Sequence, residues 1–334
     1  MKFSAPAFLR TTLGAIALTL GASAMAQTQT LRIQDYPGLG NMIVRVAAAN
    51  GYCEKNGLKC ELKTIPAGPL GIQTLMAGDI DVAFGPSEVV IQAANKGADL
   101  KIIGNAARDN IFFLMAGAHT ETPNAAKGYP AVMADLKGKK IGVTARGSGA
   151  EFQLLDLLKG AGLSGADVTI VPVGAPNTAL PAIANKQIDA VMLFAPMDGF
   201  CAAMKVCRVI VDPRKGEGPK EITQLNGASG PMTVRGDFAQ KNSATLDAFA
   251  KAMRESEYFI QNPANFAAVL KVINDTFKIE GPAGAAAVEA SLRNSIGGSK
   301  FSLDPKALQH AADYLFNTKQ IDKNFDTSKI LQLR

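Results

Sequence analysis

Short apolar runs of strand length alternate along this chain with stretches whose apolar positions recur at helical spacing, and breaker residues separate the two. Leu31 to Asp35, Glu61 to Ile65, Asp81 to Phe84 and Leu100 to Asn105 read as strands. Met42 to Ala49, Pro69 to Met76 and Val89 to Asn95 read as the helices between them. Strands alternating with helices at this spacing predict a parallel sheet with right-handed crossovers. In such a sheet the ligand face lies outside the carboxyl ends of the strands. Those ends are Tyr36-Pro37, Ala67-Gly68-Pro69, Gly85-Pro86-Ser87 and the stretch Ala106-Ala107-Arg108.

The pattern then repeats without a gap. Ile33 falls on Ile141 and Asp81 on Asp189, each 108 positions on, and Ile65-Pro66-Ala67-Gly68-Pro69 meets Val173-Gly174-Ala175-Pro176-Asn177. A repeat of this length means two similar α/β units and not a solenoid, whose periods are far shorter. The strand ends of the second unit are Thr144-Ala145-Arg146-Gly147-Ser148, Gly174-Ala175-Pro176-Asn177 and Phe194-Ala195-Pro196. Residues 213–230 are polar and glycine-rich and read as loop. From Met232 a brief strand leads into helices that have no repeat partner. The expected organisation is lobe I over residues 27–112 plus 232–334 and lobe II over 113–231, with two crossings, near 110–115 and 229–233, acting as a hinge.

The ends and the charges narrow the class. Lys2 and Arg10, the apolar run from Leu13 to Ala22 and Ala24-Met25-Ala26 have the form of an export signal cleaved after Ala26. That run is too short to span a bilayer, so a soluble, exported chain is expected. Loss of Lys2 and Arg10 takes the formal charge from +6 to +4. A modest excess without a basic run is no nucleic-acid signature. Four cysteines in an oxidising compartment predict disulfides. The local pairs Cys53–Cys60 and Cys201–Cys207 are favoured because each staples a helix end to the following strand. A zinc site fits poorly, since neither spacing is C-x-x-C and there are two histidines, His119 and His310, both expected at the surface.

Several stretches together resemble a known family. Leu75 to Ala83 (LMAGDIDVA) with Gly85-Pro86-Ser87, Asp135 to Val143 (DLKGKKIGV), and Ile188-Asp189-Ala190-Val191 with Pro196 are similar to the periplasmic substrate-binding proteins of ABC importers. The branch is that of sulfonate, nitrate, taurine and thiamine-precursor binding, and Gly51 to Leu58 resembles its Gly-Tyr-Phe-Glu-Lys-x-Gly-Leu with Cys53 in place of the aromatic. The resemblance implies a type II periplasmic-binding-protein fold, with two Rossmann-like lobes, a small-molecule ligand closed between them, and an ABC transporter permease as partner. A monomer with no cofactor is expected. Where many relatives carry an acidic residue before the proline, this chain has Phe194-Ala195-Pro196, which leaves the ligand class open.

The strongest candidate chemistry is Thr144-Ala145-Arg146-Gly147-Ser148-Gly149, just before a predicted helix. A helix N-terminus offers unpaired N–H groups and partial positive charge, suited to a sulfonate or carboxylate. Thr144 and Ser148 add hydroxyls and Arg146 a fixed charge; a plain N-cap at Ser148 and a solvated Arg146 are the structural alternative. In the first unit the matching loop carries Tyr36, with an aromatic face and a hydroxyl. Gly68, Pro86, Ser87, Arg108, Asn177 and Phe194 complete the expected ligand set, with Phe112 and Ser229 as weaker candidates. Asp81 and Asp189 lie at the far ends of their strands and read as turn and capping residues. The rival function is an enzyme on the same fold, a pyrimidine-precursor synthase or hydrolase, but no nucleophile–base–acid set stands out, and no G-x-S-x-G or H-E-x-x-H occurs.

Overall fold

The structure, a computed structural model, describes residues 1–4, 28–277 and 282–334; the cleavage site expected after Ala26, with most of the export signal, lies outside the described residues. The strands are β1 (Gln29–Asp35), β2 (Leu58–Thr64), β3 (Ala83–Phe84), β4 (Leu100–Ala107), β5 (Phe112–Gly117), β6 (Lys140–Val143), β7 (Thr169–Pro172), β8 (Ala190–Phe194), β9 (Cys207–Val211) and β10 (Gly230–Arg235). The helices of the first part are α1 (Met42–Ala49), α2 (Tyr52–Lys55), α3 (Gly68–Ala77) and α4 (Ser87–Asn95). Those of the second are α5 (Gly149–Gly160), α6 (Pro176–Ala184), α7 (Met197–Met204) and α8 (Lys220–Thr223). The C-terminal part adds α9 (Gly236–Lys241), α10 (Ser243–Gln261), α11 (Phe266–Phe277), α12 (Pro282–Ser295) and α13 (Pro305–Asn317).

Two sheets of matching order result. One runs β7-β6-β8-β5-β9. In the other, β1 pairs with β2, β3-β10-β4 form a ladder, and a parallel bridge from Ile33 to Val82 joins the two pieces into the order β2-β1-β3-β10-β4. Each sheet holds one antiparallel strand, β5 or β10, and each is the strand that follows a crossing between sheets. The chain therefore exchanges one strand in each direction, which ties the sheets together by two connections. We propose lobe limits at 27–112 plus 232–334 and 113–231, drawn one or two residues inside β5 and β10.

The 108-residue repeat is present in three dimensions, since β1, α1, β2, α3, β3, α4, β4 recur in order as β6, α5, β7, α6, β8, α7, β9. The two repeated aspartates do the same work in each copy. Asp81 accepts from the backbone N–H of Arg32 at 2.9 Å, and Asp189 from that of Lys140 at 2.8 Å. Arg32 and Lys140 are themselves 108 apart. Each carboxylate, just ahead of its own strand, ties that strand to the backbone of the neighbouring one, away from the ligand face.

Why these segments take these forms follows from local chemistry. Every residue of β5 is buried, so it reads as a continuous apolar run without alternation. Pro69 and Pro176 stand in the first turns of α3 and α6, where a missing N–H costs nothing. Gly78 ends α3 in the left-handed region at φ 85°. Along α10, Leu246, Phe249, Ala250, Met253 and Ile260 are buried at helical spacing, and Ser256 Oγ donates to Ile43 O of α1 at 2.7 Å. Each fully buried Leu or Phe contributes about 1.5–3 kcal/mol, so this face anchors α10 on α1.

Both expected disulfides are present, Cys53–Cys60 joining α2 to β2 and Cys201–Cys207 joining α7 to β9. Two expectations need correction. Residues 213–230 are not one loop, because α8 and the first residue of β10 fall within them. Both histidines are half-buried and not surface residues, with Nε2 of each out of solvent; His119 lies 3.9 Å from Asp189. Among the described residues no helix is long and apolar enough to cross a membrane.

Candidate functional site

The strand ends that face the lobe junction converge on a seam of aromatic rings. Tyr36 follows β1, Phe84 ends β3, Phe194 ends β8 and Phe112 opens β5 after the first crossing. Ring centroids lie 4.8 Å apart for Tyr36–Phe194, 5.7 Å for Tyr36–Phe84 and 6.2 Å for Phe112–Phe194, in tilted or edge-on geometry. All four are buried. Such pairs are worth about 0.5–1.5 kcal/mol each beyond their area, so the seam both binds the lobes and offers flat apolar surface.

Close backbone approach makes the contact possible. Gly38 lies so near the other lobe that a Cβ there would sit 2.4 Å from Phe194 Cδ2, and one on Gly149 would sit 2.7 Å from Pro86. The loop carrying Tyr36 is fixed from behind by a buried guanidinium. Arg45 of α1 donates to Asp35 Oδ1 at 2.8 Å and to the carbonyls of Tyr36 and Gly38 at 2.9 Å each. A backbone bond from Leu39 N–H to Ala195 O at 3.0 Å then crosses between lobes. Burial pushes the Tyr36 phenol well above its usual range, opposed in part by the Thr144 hydroxyl beside it, so the group stays a neutral donor.

The loop after β6 is built as the helix terminus its sequence predicts, with an internal acid seated on it. Ser148 Oγ accepts from Glu151 N–H at 3.3 Å as the N-cap of α5. The Glu151 carboxylate accepts from the Gly147 N–H and pairs with Arg146 at 3.0 Å. The Arg146 side chain is 62% exposed. Arg146 is therefore at the rim and partnered, not a free cation in the seam. Thr144 is buried, and its Oγ1 has no partner of hydrogen-bond geometry.

The remaining expected residues divide. Ser87 is buried at the start of α4, but its hydroxyl donates to Ala228 O and is spent within the second crossing. Pro86 packs against Gly149, and Gly68 lets α3 approach Pro86 and Val89. Arg108 has an exposed side chain; its backbone is bonded to Gly298, Gly227 and Ser229. Ser229 Oγ donates to Leu225 O, which keeps it within its own loop. Asn177 is exposed at the mouth of a cavity of about 490 Å³ that also touches Pro37, Leu180, Phe200 and Phe277.

A second, smaller cavity of about 150 Å³ lies against Leu39, Gly40, Asn110, Phe194, Arg214 and Ser299. Sequence reasoning missed most of these. Arg214 falls in the stretch read as loop; its guanidinium is held by Asp212 at 2.8 Å and Asp198 at 3.4 Å and lies 4.1 Å over the Phe113 ring. Ser299 Oγ is buried without a partner. The α12 segment, which has no repeat counterpart, closes the side of the junction: Ser291 accepts from Gly199 N–H of α7 at 3.0 Å and donates to Asp198. No periodicity in the chain marks that pairing; the Asp198-Gly199 step at the start of α7 was its one local sign.

What the arrangement offers is enclosure: flat rings, a buried Thr144 hydroxyl beside the Tyr36 phenol, an unpartnered hydroxyl at Ser299, and arginines already matched by carboxylates. Among the described residues no cluster of three potential metal ligands occurs.

Residues 41–266 match the family model described as NMT1/THI5 like. A binding protein of Brucella abortus is 34% identical over 168 residues, which is 50% of this chain and 47% of that protein. The chain thus matches about half the length of such relatives. An aliphatic sulfonates-binding protein of Bacillus subtilis is 28% identical over 281 residues, covering 83% of this chain and 77% of that protein. The solved alkanesulfonate-binding protein SsuA of Xanthomonas axonopodis pv. citri, bound to MOPS, superposes with a TM-score of 0.70 at 19% identity, over 91% of this chain and 98% of that one. With its strand-exchanged sheets and interlobe seam, the chain belongs to the NMT1/THI5-like family and has the periplasmic-binding-protein fold.

Proposed function

We propose that this protein captures a small organic solute between its two lobes in the periplasm and delivers it, unaltered, to the permease of an ABC importer. The observation that carries this reading is the seam itself: loops from both sheets enclose rings and buried hydroxyls between elements joined by two crossings. Hinge closure around a ligand is the mode by which such lobes work. The solute's flat or apolar body would rest on Tyr36, Phe84, Phe112 and Phe194. An acidic head, sulfonate or carboxylate, would take the Gly147 N–H and Arg146 now held by Glu151, whose seating supports the view that this loop accepts an acid. The B. subtilis and Xanthomonas relatives, named for sulfonates, support the same ligand class.

Native mass spectrometry of gently purified protein, followed by a thermal-shift screen of small sulfonates and carboxylates, tests the reading. A co-purified molecule recovered unchanged, and a raised midpoint that Tyr36→Ala abolishes, is the expected result. Chemical conversion of the bound molecule would instead establish an enzyme.

A further inference from the structure

The lobes meet a second time along α4 and α5, and this contact is polar and acidic. Glu88, in the first turn of α4, is buried and accepts from Gln153 Nε2 of α5 at 3.0 Å. Gln153 Oε1 accepts from Asn110 Nδ2 at 2.8 Å, and the Asn110 N–H donates to Asn226 Oδ1 at 2.7 Å. One chain of hydrogen bonds thus links a helix of each lobe to the first crossing and to the segment that leads into the second. Both bonds of Gln153, to Glu88 and from Asn110, cross between the lobes, so separation of the lobes breaks the Glu88–Gln153 contact.

One turn further along α5, Asp156 is 6% exposed and its Oδ2 has no partner. It lines an interlobe crevice of about 310 Å³ with Thr318 and Gln320 of the C-terminal part, and Gln320 Oε1 is likewise buried without a partner. Asp156 Oδ2 and Gln320 Oε1 are thus both buried acceptors without a donor, and a proton on the Asp156 carboxyl turns one of those acceptors into a donor. Burial pushes Asp156 up to about 8, with the negative charge of Glu88 adding to the rise. Burial also raises Glu88, opposed by the bond from Gln153.

The other groups facing the pair do not cancel this. Lys159 on α5 favours the ionised Asp156, whereas Glu221 on α8 opposes it, and the Tyr129 phenol stands near both acids. The helix α13, packed on α4, brings His310 and Tyr314. The strands β5 and β8 and helix α3 carry no charged side chain, and β10 carries Arg235, paired with Asp237.

We propose that closure of the two lobes takes up protons on Glu88 and Asp156, which lie on the helices α4 and α5 that pack across the junction, so that acidification favours the closed form. The inference rests on the reading that the lobes open and close. On opening, water reaches both acids and their affinity for protons returns to the ordinary carboxylate range. The closed form is therefore favoured in full below that range and loses ground as pH rises toward about 8. Each proton held by the closed form alone raises the opening constant by up to about tenfold per pH unit in that window.

Small-angle scattering of the unliganded protein from pH 5 to pH 9 tests this, with the isosteric double variant Glu88→Gln/Asp156→Asn beside it. The expected result is a radius of gyration that grows with pH in the wild type and stays at its pH 5 value in the variant. Asp156→Asn alone, expected to halve the pH slope, serves if the double variant fails to fold. A variant that opens with the wild-type pH profile, or one whose profile is lost only when His310→Asn is added, overturns the proposal. So does a wild-type radius that is constant with pH; solute capture, tested separately by the ligand screen, would survive that outcome.

Discussion

Substituting Gly38 by Ala should wedge the lobes apart without harming either one. Gly38 lies at φ −142° and ψ 174°, extended backbone that alanine adopts freely, so no local strain follows. The added Cβ would lie 2.4 and 2.7 Å from two carbons of the Phe194 ring and 3.2 Å from Ala195 O. Ordinary carbon contacts are about 3.5–4.0 Å, so roughly 1 Å of separation is required. The ring cannot yield, because Tyr36 lies 4.8 Å from it and Phe112 6.2 Å. Overpacking of this kind costs about 1–3 kcal/mol. Here the hinge relieves it, so the cost falls on closing and not on folding. That corresponds to a roughly 5- to 150-fold smaller closing constant, and the same loss of affinity for a solute bound by the closed form. The unfolding midpoint should hold or rise, since Gly→Ala at a compatible position stabilises by about 0.4–1 kcal/mol. Isothermal titration with a solute from the screen, scattering of the free protein and urea unfolding read the three quantities. Wild-type affinity together with a wild-type radius would refute the argument that Gly38 sits at the closing contact.

Other perturbations report on the supports of the site. Arg45→Met leaves Asp35 buried beside three lost bonds and should cost about 3–5 kcal/mol in urea unfolding; a loss below 1 kcal/mol would mean the Tyr36 loop does not depend on this guanidinium. Ser291→Ala strands the Gly199 N–H and one oxygen, Oδ1, of Asp198 at the α7–α12 contact, while Arg214 still holds Oδ2, at about 1–3 kcal/mol. Hydrogen exchange at Gly199 should accelerate by one to two orders of magnitude, about the factor that energy allows; unchanged exchange would show that α12 does not latch α7. Replacing both Cys53 and Cys60 by Ser removes a bridge across a separation of 7 residues, with an expected loss of about 2 kcal/mol. A midpoint insensitive to reducing agent would contradict that value.

The division between what was legible in the chain and what was not has a physical basis. Hydrophobic period and breaker residues are local, and they revealed the alternation of strands and helices, the 108-residue repeat and the capping role of Asp81 and Asp189. Short-range geometry likewise made both disulfides readable, since each bridges a helix to the strand after it. The cap at Ser148, the alternative to its expected ligand role, is local in the same way. What partners a charged side chain was not readable. Arg146 is matched by Glu151 five residues on, but Arg214 owes its place to Asp198 and Asp212 together with the Phe113 ring, a hundred residues away in sequence. The swap of β5 and β10 between sheets, the closing of the junction by α12, and the meeting of Glu88 with Gln153 all depend on the packing of distant segments. Sequence periodicity records which face of an element is buried, but not against what. That choice is made when the two sheets and the C-terminal helices compete for the same apolar surface, and it is decided in tertiary structure alone.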